Sequence, residues 1–352
     1  MSKSSNHWKN LGVVCDKPSL IFGNLGGVGQ HIHWVKKIQE TYEKYKFGNK
    51  FCGFYFMGDP RLIILDLELI KNILIKDFNH FVDRGLFHNE KDDPLSAHLF
   101  AIEGDKWRTL RNKLSSTFTS GKMKMMFSAI AAYSNDLVSL IEESAKSVDG
   151  IDIKRVCVRY TADVIGSCGF GLECNALKDE NSEMLKVGDF FDFKEKKSQF
   201  IFFFTQSFPN LSKRLGLKVT PDYVSEFFMK VIKDTYEFRE QNDIKRNDFM
   251  SLLMQIKKYG KLKDEESESV GTMTFNEMAA QAFIFFIAGF ETSSTTMNYA
   301  FYELAYRQTI QDKLRDEITD VLKRHNNEIT YDAIMEMTYL DKVVNGLNVL
   351  SF

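Results

Sequence analysis

A mainly α-helical protein with a small β portion is what this sequence predicts, and three observations predict it. Apolar residues recur at helical spacing along most of the 352 residues, only 5 prolines interrupt them, and a single stretch has the shape of a strand pair. The 31 phenylalanines point further to a bulky interior suited to an apolar cavity.

The elements follow in order. MSKSSNHWKNLGVVCDKP, residues 1–18, contains no apolar core of the kind a signal peptide or membrane span requires, and no other window reaches about 18 apolar residues. The glycines of FGNLGGVG, 22–29, echo a nucleotide-binding loop, but no apolar strand precedes them and they read as a lead-in loop. FCGFYFMGDPRLIILD, 51–66, reads as two short strands turning at Gly58, Asp59 and Pro60. Helical spacing then dominates at 67–75, 106–118, 123–145, 156–168, 221–258, 274–306 and 310–325. The charged run KLKDEESESVG, 261–271, reads as a solvated connector. QFIFFFTQSFPNLSKRLGL, 199–217, reads as an aromatic packing knot whose Lys213 and Arg214 also suit a loop resting on a membrane surface.

Composition excludes some classes of function. With 46 basic and 48 acidic residues the formal net charge is −2, so no basic excess points to nucleic acid. The five cysteines, Cys15, Cys52, Cys157, Cys168 and Cys174, are odd in number and form no CxxC pair or zinc spacing, which suits a reduced protein without a structural metal.

The chemistry concentrates in AFIFFIAGFETSSTT, 282–296. Its helix announces its start with a capping box, Thr274 to Glu277, in which threonine and glutamate satisfy free amide hydrogens. Ala288 and Gly289 precede Thr292 by four and three positions and share its face, a shelf without bulk among phenylalanines. A mid-helix glycine costs about 1 kcal/mol relative to alanine, so close approach by a neighbouring helix or by a flat ligand is expected to offset it. The Thr292 hydroxyl can bond back to the Ala288 carbonyl, while Glu291 is turned away by about 100°. The residues alone leave two readings open. In one, Glu291 meets an arginine and Thr292 packs in a core; in the other, acid, alcohol and shelf form a proton relay into a buried pocket. A second pair, Trp107 and Arg111, falls at i and i+4, so an indole N–H and a guanidinium share one helix side. That pair suits either a bound carboxylate or a surface cation–π contact.

Ala288-Gly289-Phe290-Glu291-Thr292 matches the A-G-x-E-T signature of the long central helix of the cytochrome P450 haem-thiolate monooxygenases. The stretch 81–127, with Trp107 and Arg111 as its W-x-x-x-R pair, and DVIGSCGFGLECNAL, 163–177, resemble the insect microsomal members of that family. The early HWKNLGV and KPSLIFGN resemble the same group, and the similarity runs over 7–345. The resemblance implies that Trp107 and Arg111 bind haem propionates, that Thr292 and Glu291 deliver protons to dioxygen, and that Ala288 and Gly289 leave space for it. It makes Phe203, Phe208, Phe286 and Phe290 candidates to line a substrate pocket. For the parent enzyme it implies oxidation of lipophilic small molecules with electrons from an NADPH-dependent flavoprotein reductase, at the cytosolic face of the endoplasmic reticulum membrane.

The same resemblance implies an axial cysteine in an F-x-x-G-x-x-x-C-x-G loop and an E-x-x-R helix before it. No cysteine here sits in such a loop, and no E-x-x-R occurs in the sequence. MTYLDKVVNGLNVLSF, 337–352, follows the family to Asn345, then has Gly346 and Val349 where the glutamate and arginine belong. The expectation is therefore one partial cytochrome P450 domain over 1–352 with an aberrant tail at 346–352, without the K helix, the cysteine loop, the last helix or the N-terminal anchor. Such a chain is expected to be cytosolic or peripheral, to hold haem poorly and to be inactive. The alternative is a catalytically dead product that binds apolar ligands or partners.

Overall fold

The computed structural model describes residues 6–29, 31–146, 150–188, 196–262 and 271–350, so most of the charged connector at 261–271 and the last two residues lie outside the described residues. In chain order the elements are α1 (His7–Asn10), α2 (Trp34–Tyr45), β1 (Phe51–Phe56), β2 (Asp59–Ile64), α3 (Leu67–Lys71), α4 (Gly104–Ser115), α5 (Ser120–Ala132), α6 (Ser134–Ser144), α7 (Ile153–Ile165) and α8 (Glu183–Gly188). They continue as α9 (Lys196–Ser207), α10 (Pro209–Arg214), α11 (Asp222–Asn242), α12 (Phe249–Tyr259), α13 (Phe275–Tyr306), α14 (Gln308–Arg324), α15 (Tyr331–Glu336) and α16 (Thr338–Leu350). The mainly α prediction with one hairpin holds.

Local chemistry explains where the bounds differ. The hairpin turns earlier than predicted, at Met57 and Gly58, with Met57 in the left-handed region; Asp59 and Pro60 belong to β2, opposite Phe56 and Tyr55. Proline is tolerated there because, among the described residues, β2 has no strand on its outer side. The predicted helix at 221–258 is two helices, since Asp243 takes a left-handed φ and Asp248 starts α12 by accepting from the Ser251 amide at 2.9 Å. The segment at 123–145 likewise divides at Tyr133, and the aromatic knot at 199–217 resolves into α9 and α10. Helix α7 starts at Ile153 behind the Asp152 cap and runs out through a π-turn, Gly166–Phe170.

The chain divides into two compact units, residues 1–108 with 193–221, and residues 109–192 with 222–352. In the first, Leu25, Phe54 and Met57 form a core to which Val28, Ile38, Phe56, Ile63 and Phe203 add. Trp8 seals one side: its indole N–H donates to the Phe54 carbonyl at 3.2 Å, and a Cβ at Gly53 would come within 2.4 Å of the ring. Only glycine admits that approach.

In the second unit α13 is the axis, and its most extensive partner is α7. Around it Phe170, Phe228, Phe283, Phe286 and Phe290 make a contiguous aromatic core, and Phe249 stacks on Phe285 at 4.1 Å. Two polar locks brace this unit. Arg239, buried, forks onto Asp248 at 2.8 and 2.7 Å and also donates to Ser251 and the Phe170 carbonyl. On α7, Arg159 donates to the carbonyls of Ala176 and Leu177, while Asp163 accepts from the amides of the same two residues at 2.7 and 2.8 Å. Glu317 of α14 takes the first amides of α16, those of Tyr339 and Leu340, at 2.7 and 2.9 Å. Helix α16 runs without a break through Asn345 and Gly346 to Leu350, so the stretch expected to be aberrant is helical as far as it is described.

Candidate functional site

Helix α13 carries the first half of the site. Its capping box is complete, with Thr274 Oγ1 accepting from the Glu277 amide at 3.2 Å and Glu277 Oε2 accepting from the Thr274 amide at 2.8 Å. Fourteen and eighteen residues after Thr274, Ala288 and Thr292 are exposed and share a face with Thr296 and Tyr299, which are exposed as well. The Thr292 hydroxyl donates to the Ala288 carbonyl, as the spacing predicted, and Thr296 repeats the pattern on the Thr292 carbonyl at 2.9 Å. From Ala288 to Thr296 the result is a strip of small side chains whose hydroxyl oxygens keep accepting lone pairs toward solvent.

Gly289 is different. A Cβ there would meet Ile165 Cδ1 of α7 at 2.5 Å, so the missing side chain admits a neighbouring helix, the first of the two explanations foreseen for it. Glu291 is half-buried and meets no arginine among the described residues: its Oε1 accepts from the Thr295 hydroxyl at 3.2 Å, one turn along the same helix. Acid and alcohol thus sit on adjacent faces, each tied to its own helix.

The phenylalanine candidates are scattered by packing. Phe286 and Phe290 stack on each other at 5.2 Å and are buried, Phe290 lying where a Cβ on Gly188 would be 2.6 Å from its ring. Phe203 packs on Phe56 at 5.4 Å in the other unit, and Phe208 is exposed at the start of α10. The structure places three of these rings in cores and one on the surface.

Helix α4 carries Trp107 and Arg111 one turn apart. Trp107 is half-buried with its ring 6.1 Å from Phe78, and Arg111 is exposed. Among the described residues nothing accepts from the Trp107 indole N–H or the Arg111 guanidinium, and the two do not make the cation–π contact that was the competing reading. Two donors on one helix side without partners fit the carboxylates of a ligand such as haem.

The cysteines do not fit the iron of that group. Burial pushes the thiols of Cys52, Cys157 and Cys168 up to about 11 and that of Cys174 to about 12, and burial also raises Cys15. A metal-binding cysteine acts as thiolate, which these environments disfavour. Among the described residues no group of three or more His, Cys, Asp or Glu side chains could hold a metal ion, and no helix is long and apolar enough to cross a membrane.

Comparison with known proteins supplies the family. The model of the family described as Cytochrome P450 matches residues 15–345. The chain is 42% identical to Cytochrome P450 6a9 of Drosophila melanogaster, over 97% of this chain and 68% of that protein. It is 43% identical to Cytochrome P450 6a2 of the same fly, over 97% of this chain and 69% of that protein, and 42% identical to Cytochrome P450 6A1 of Musca domestica, over 96% and 66%. It therefore spans about two thirds of the length of these curated relatives, and a match of this extent, with the mainly helical fold, gives one conclusion: the chain belongs to the cytochrome P450 family of haem monooxygenases.

Proposed function

We propose that these residues form the dioxygen-facing side of a monooxygenase that oxidises lipophilic small molecules with electrons from an NADPH-dependent flavoprotein reductase, at the cytosolic face of the endoplasmic reticulum membrane. The observation that carries this reading is the exposed strip of Ala288 and Thr292, whose hydroxyl is already oriented by the Ala288 carbonyl. In it Thr292, whose own hydrogen goes to the Ala288 carbonyl, turns an accepting Oγ1 lone pair outward to hold a protonated oxygen or a water at the reacting position, and Glu291 keeps an acid on the neighbouring face. Trp107 and Arg111 bind the two carboxylates of haem, which supplies the oxygen chemistry when bound. Gly289 acts one step removed, by letting α7 and α13 close together.

We further propose that residues 1–352 by themselves neither ligate haem through a thiolate nor turn over substrate, because none of the five cysteines lies in an F-x-x-G-x-x-x-C-x-G loop and burial raises the pKa of each thiol. Exposed apolar side chains on the first unit, Leu20, Ile21 and Phe22 with Phe208, Leu211 and Leu215, and the basic Lys213 and Arg214, support peripheral contact with a membrane surface.

The test joins residues 1–345 to the part of Cytochrome P450 6a9 that lies beyond the matched region. With reductase and an apolar substrate, Thr292→Ala in this chimera is expected to lower product formed per dioxygen consumed by at least about tenfold, since a group positioned for proton transfer contributes roughly a hundredfold or more. Equal coupling in the variant and its parent would remove Thr292 from the proposed role.

A further inference from the structure

The donors of α4 need a fixed helix, and the start of that helix has an unusual tether. Gly104, its first residue, has φ +61°, and its amide donates to Asp83 Oδ1 at 2.7 Å, across 21 positions of sequence. Asp83 lies in the irregular stretch FVDRGL, outside any helix or strand. Its carboxylate therefore stands at the positive end of the α4 dipole as well as on a free amide.

Two residues flanking that stretch hold the same turn. Phe78 lies against the Trp107 ring, and Glu90 places both carboxylate oxygens 2.8 Å from Lys106 Nζ. Arg84 sits over the Phe100 ring at 4.7 Å, fastening the residue after Asp83 to the segment that leads into α4. Of these contacts only the one from Asp83 reaches the helix backbone. The lysine pair is exposed and the ring contact is loose, so neither fixes the direction of the first turn. The direction of that turn sets where the indole of Trp107 points, three residues on.

We propose that Asp83 is a positioning residue for ligand binding: by capping α4 at Gly104 it holds the Trp107 indole N–H in the orientation that receives a ligand carboxylate. This rests on the reading of Trp107 and Arg111 as carboxylate donors. Asp83 touches no ligand itself.

The experiment uses the full chain, ¹⁵N-labelled at tryptophan, and metal-free protoporphyrin IX, which offers two propionates and needs no axial thiolate. Trp107 is assigned among the indole signals of Trp8, Trp34 and Trp107 by its loss in Trp107→Phe. Asp83→Ala is expected to shift and broaden the Trp107 signal while leaving Trp8 and Trp34 in place, and to weaken porphyrin binding by roughly fivefold, the usual worth of a helix cap. Asp83→Asn, which keeps an acceptor oxygen, is expected to restore most of both. The Asn variant also covers the case in which the Ala variant does not fold, because wild-type binding with a displaced Trp107 signal in it would overturn the proposal. An Asp83→Ala protein that keeps wild-type affinity, while Trp107→Phe loses it, overturns the role of Asp83 and leaves the donor reading standing. Equal binding of protoporphyrin and its dimethyl ester, unchanged by Trp107→Phe and Arg111→Ala, overturns the donor reading itself.

Discussion

If Gly289 exists to let α7 and α13 approach, filling it should cost stability in a way that depends on Ile165. Alanine at 289 gains about 1 kcal/mol of helix propensity. Its Cβ would also lie 2.5 Å from Ile165 Cδ1, and Ile165 is buried, so the isoleucine must leave its place at a cost of about 1–3 kcal/mol, the usual range for overpacking. The sum is a Gly289→Ala protein between equal in stability and about 2 kcal/mol weaker. Ile165→Ala alone should cost about 2–5 kcal/mol through the cavity it leaves. In that background the obstruction is gone, and Gly289→Ala should instead stabilise by about 1 kcal/mol or slightly more, since its methyl enters the cavity. Urea unfolding of the four proteins measures the cycle, and a coupling of about 1–3 kcal/mol is expected. A Gly289→Ala variant that is about 1 kcal/mol more stable in both backgrounds would refute the packing role and return the glycine to the open face of the helix.

Three further outcomes follow from contacts described above. Asp248→Ala strands the buried Arg239 guanidinium and should cost about 3–5 kcal/mol in urea unfolding, whereas an exposed pair such as Lys124 with Asp332 should change stability by under about 1 kcal/mol when broken. Glu317→Ala uncaps α16 and should cost about 0.5–2 kcal/mol, with amide exchange rising first at Tyr339 and Leu340; unchanged exchange there would contradict the capping role. His98, partly buried with Nδ1 lacking a partner among the described residues, has its pKa lowered from 6.5 to about 4 by burial. Because the unfolded chain takes up that proton first, its contribution is present above pH 6.5 and is lost as pH falls toward 4, about 3 kcal/mol at most. Stability against pH over that window should flatten in His98→Gln, and an unchanged slope would contradict the assignment.

Much of this was legible because the relevant signals are local. The capping box at Thr274 and Glu277, the back-bond from Thr292 to Ala288, and the hairpin after Phe51 each involve residues within a few positions of one another, so spacing alone predicts them. The breaks inside the long periodic stretches were not legible. Asp243 and Asp248 divide α11 from α12 by a left-handed φ and a cap whose carboxylate also binds Arg239, and apolar periodicity carries no trace of either. The phenylalanines show the other limit. Composition indicates a bulky aromatic interior, but whether Phe286 faces a ligand or Phe228 depends on which helices meet, and here Phe228 is 5.0 Å away. Asp83 escaped sequence reasoning for the same reason, since its partner is Gly104 and no motif spans the gap.

On the proposed function, this chain brings the oxygen-facing strip and the carboxylate donors of a haem monooxygenase, and none of its five cysteines ligates haem as a thiolate. The most direct measurement is the absorption spectrum of purified residues 1–352, given haem, reduced and exposed to carbon monoxide. No displaced Soret band of thiolate-ligated haem is expected. A clear band of that type, abolished by replacing one of Cys15, Cys52, Cys157, Cys168 or Cys174 with serine, would contradict it.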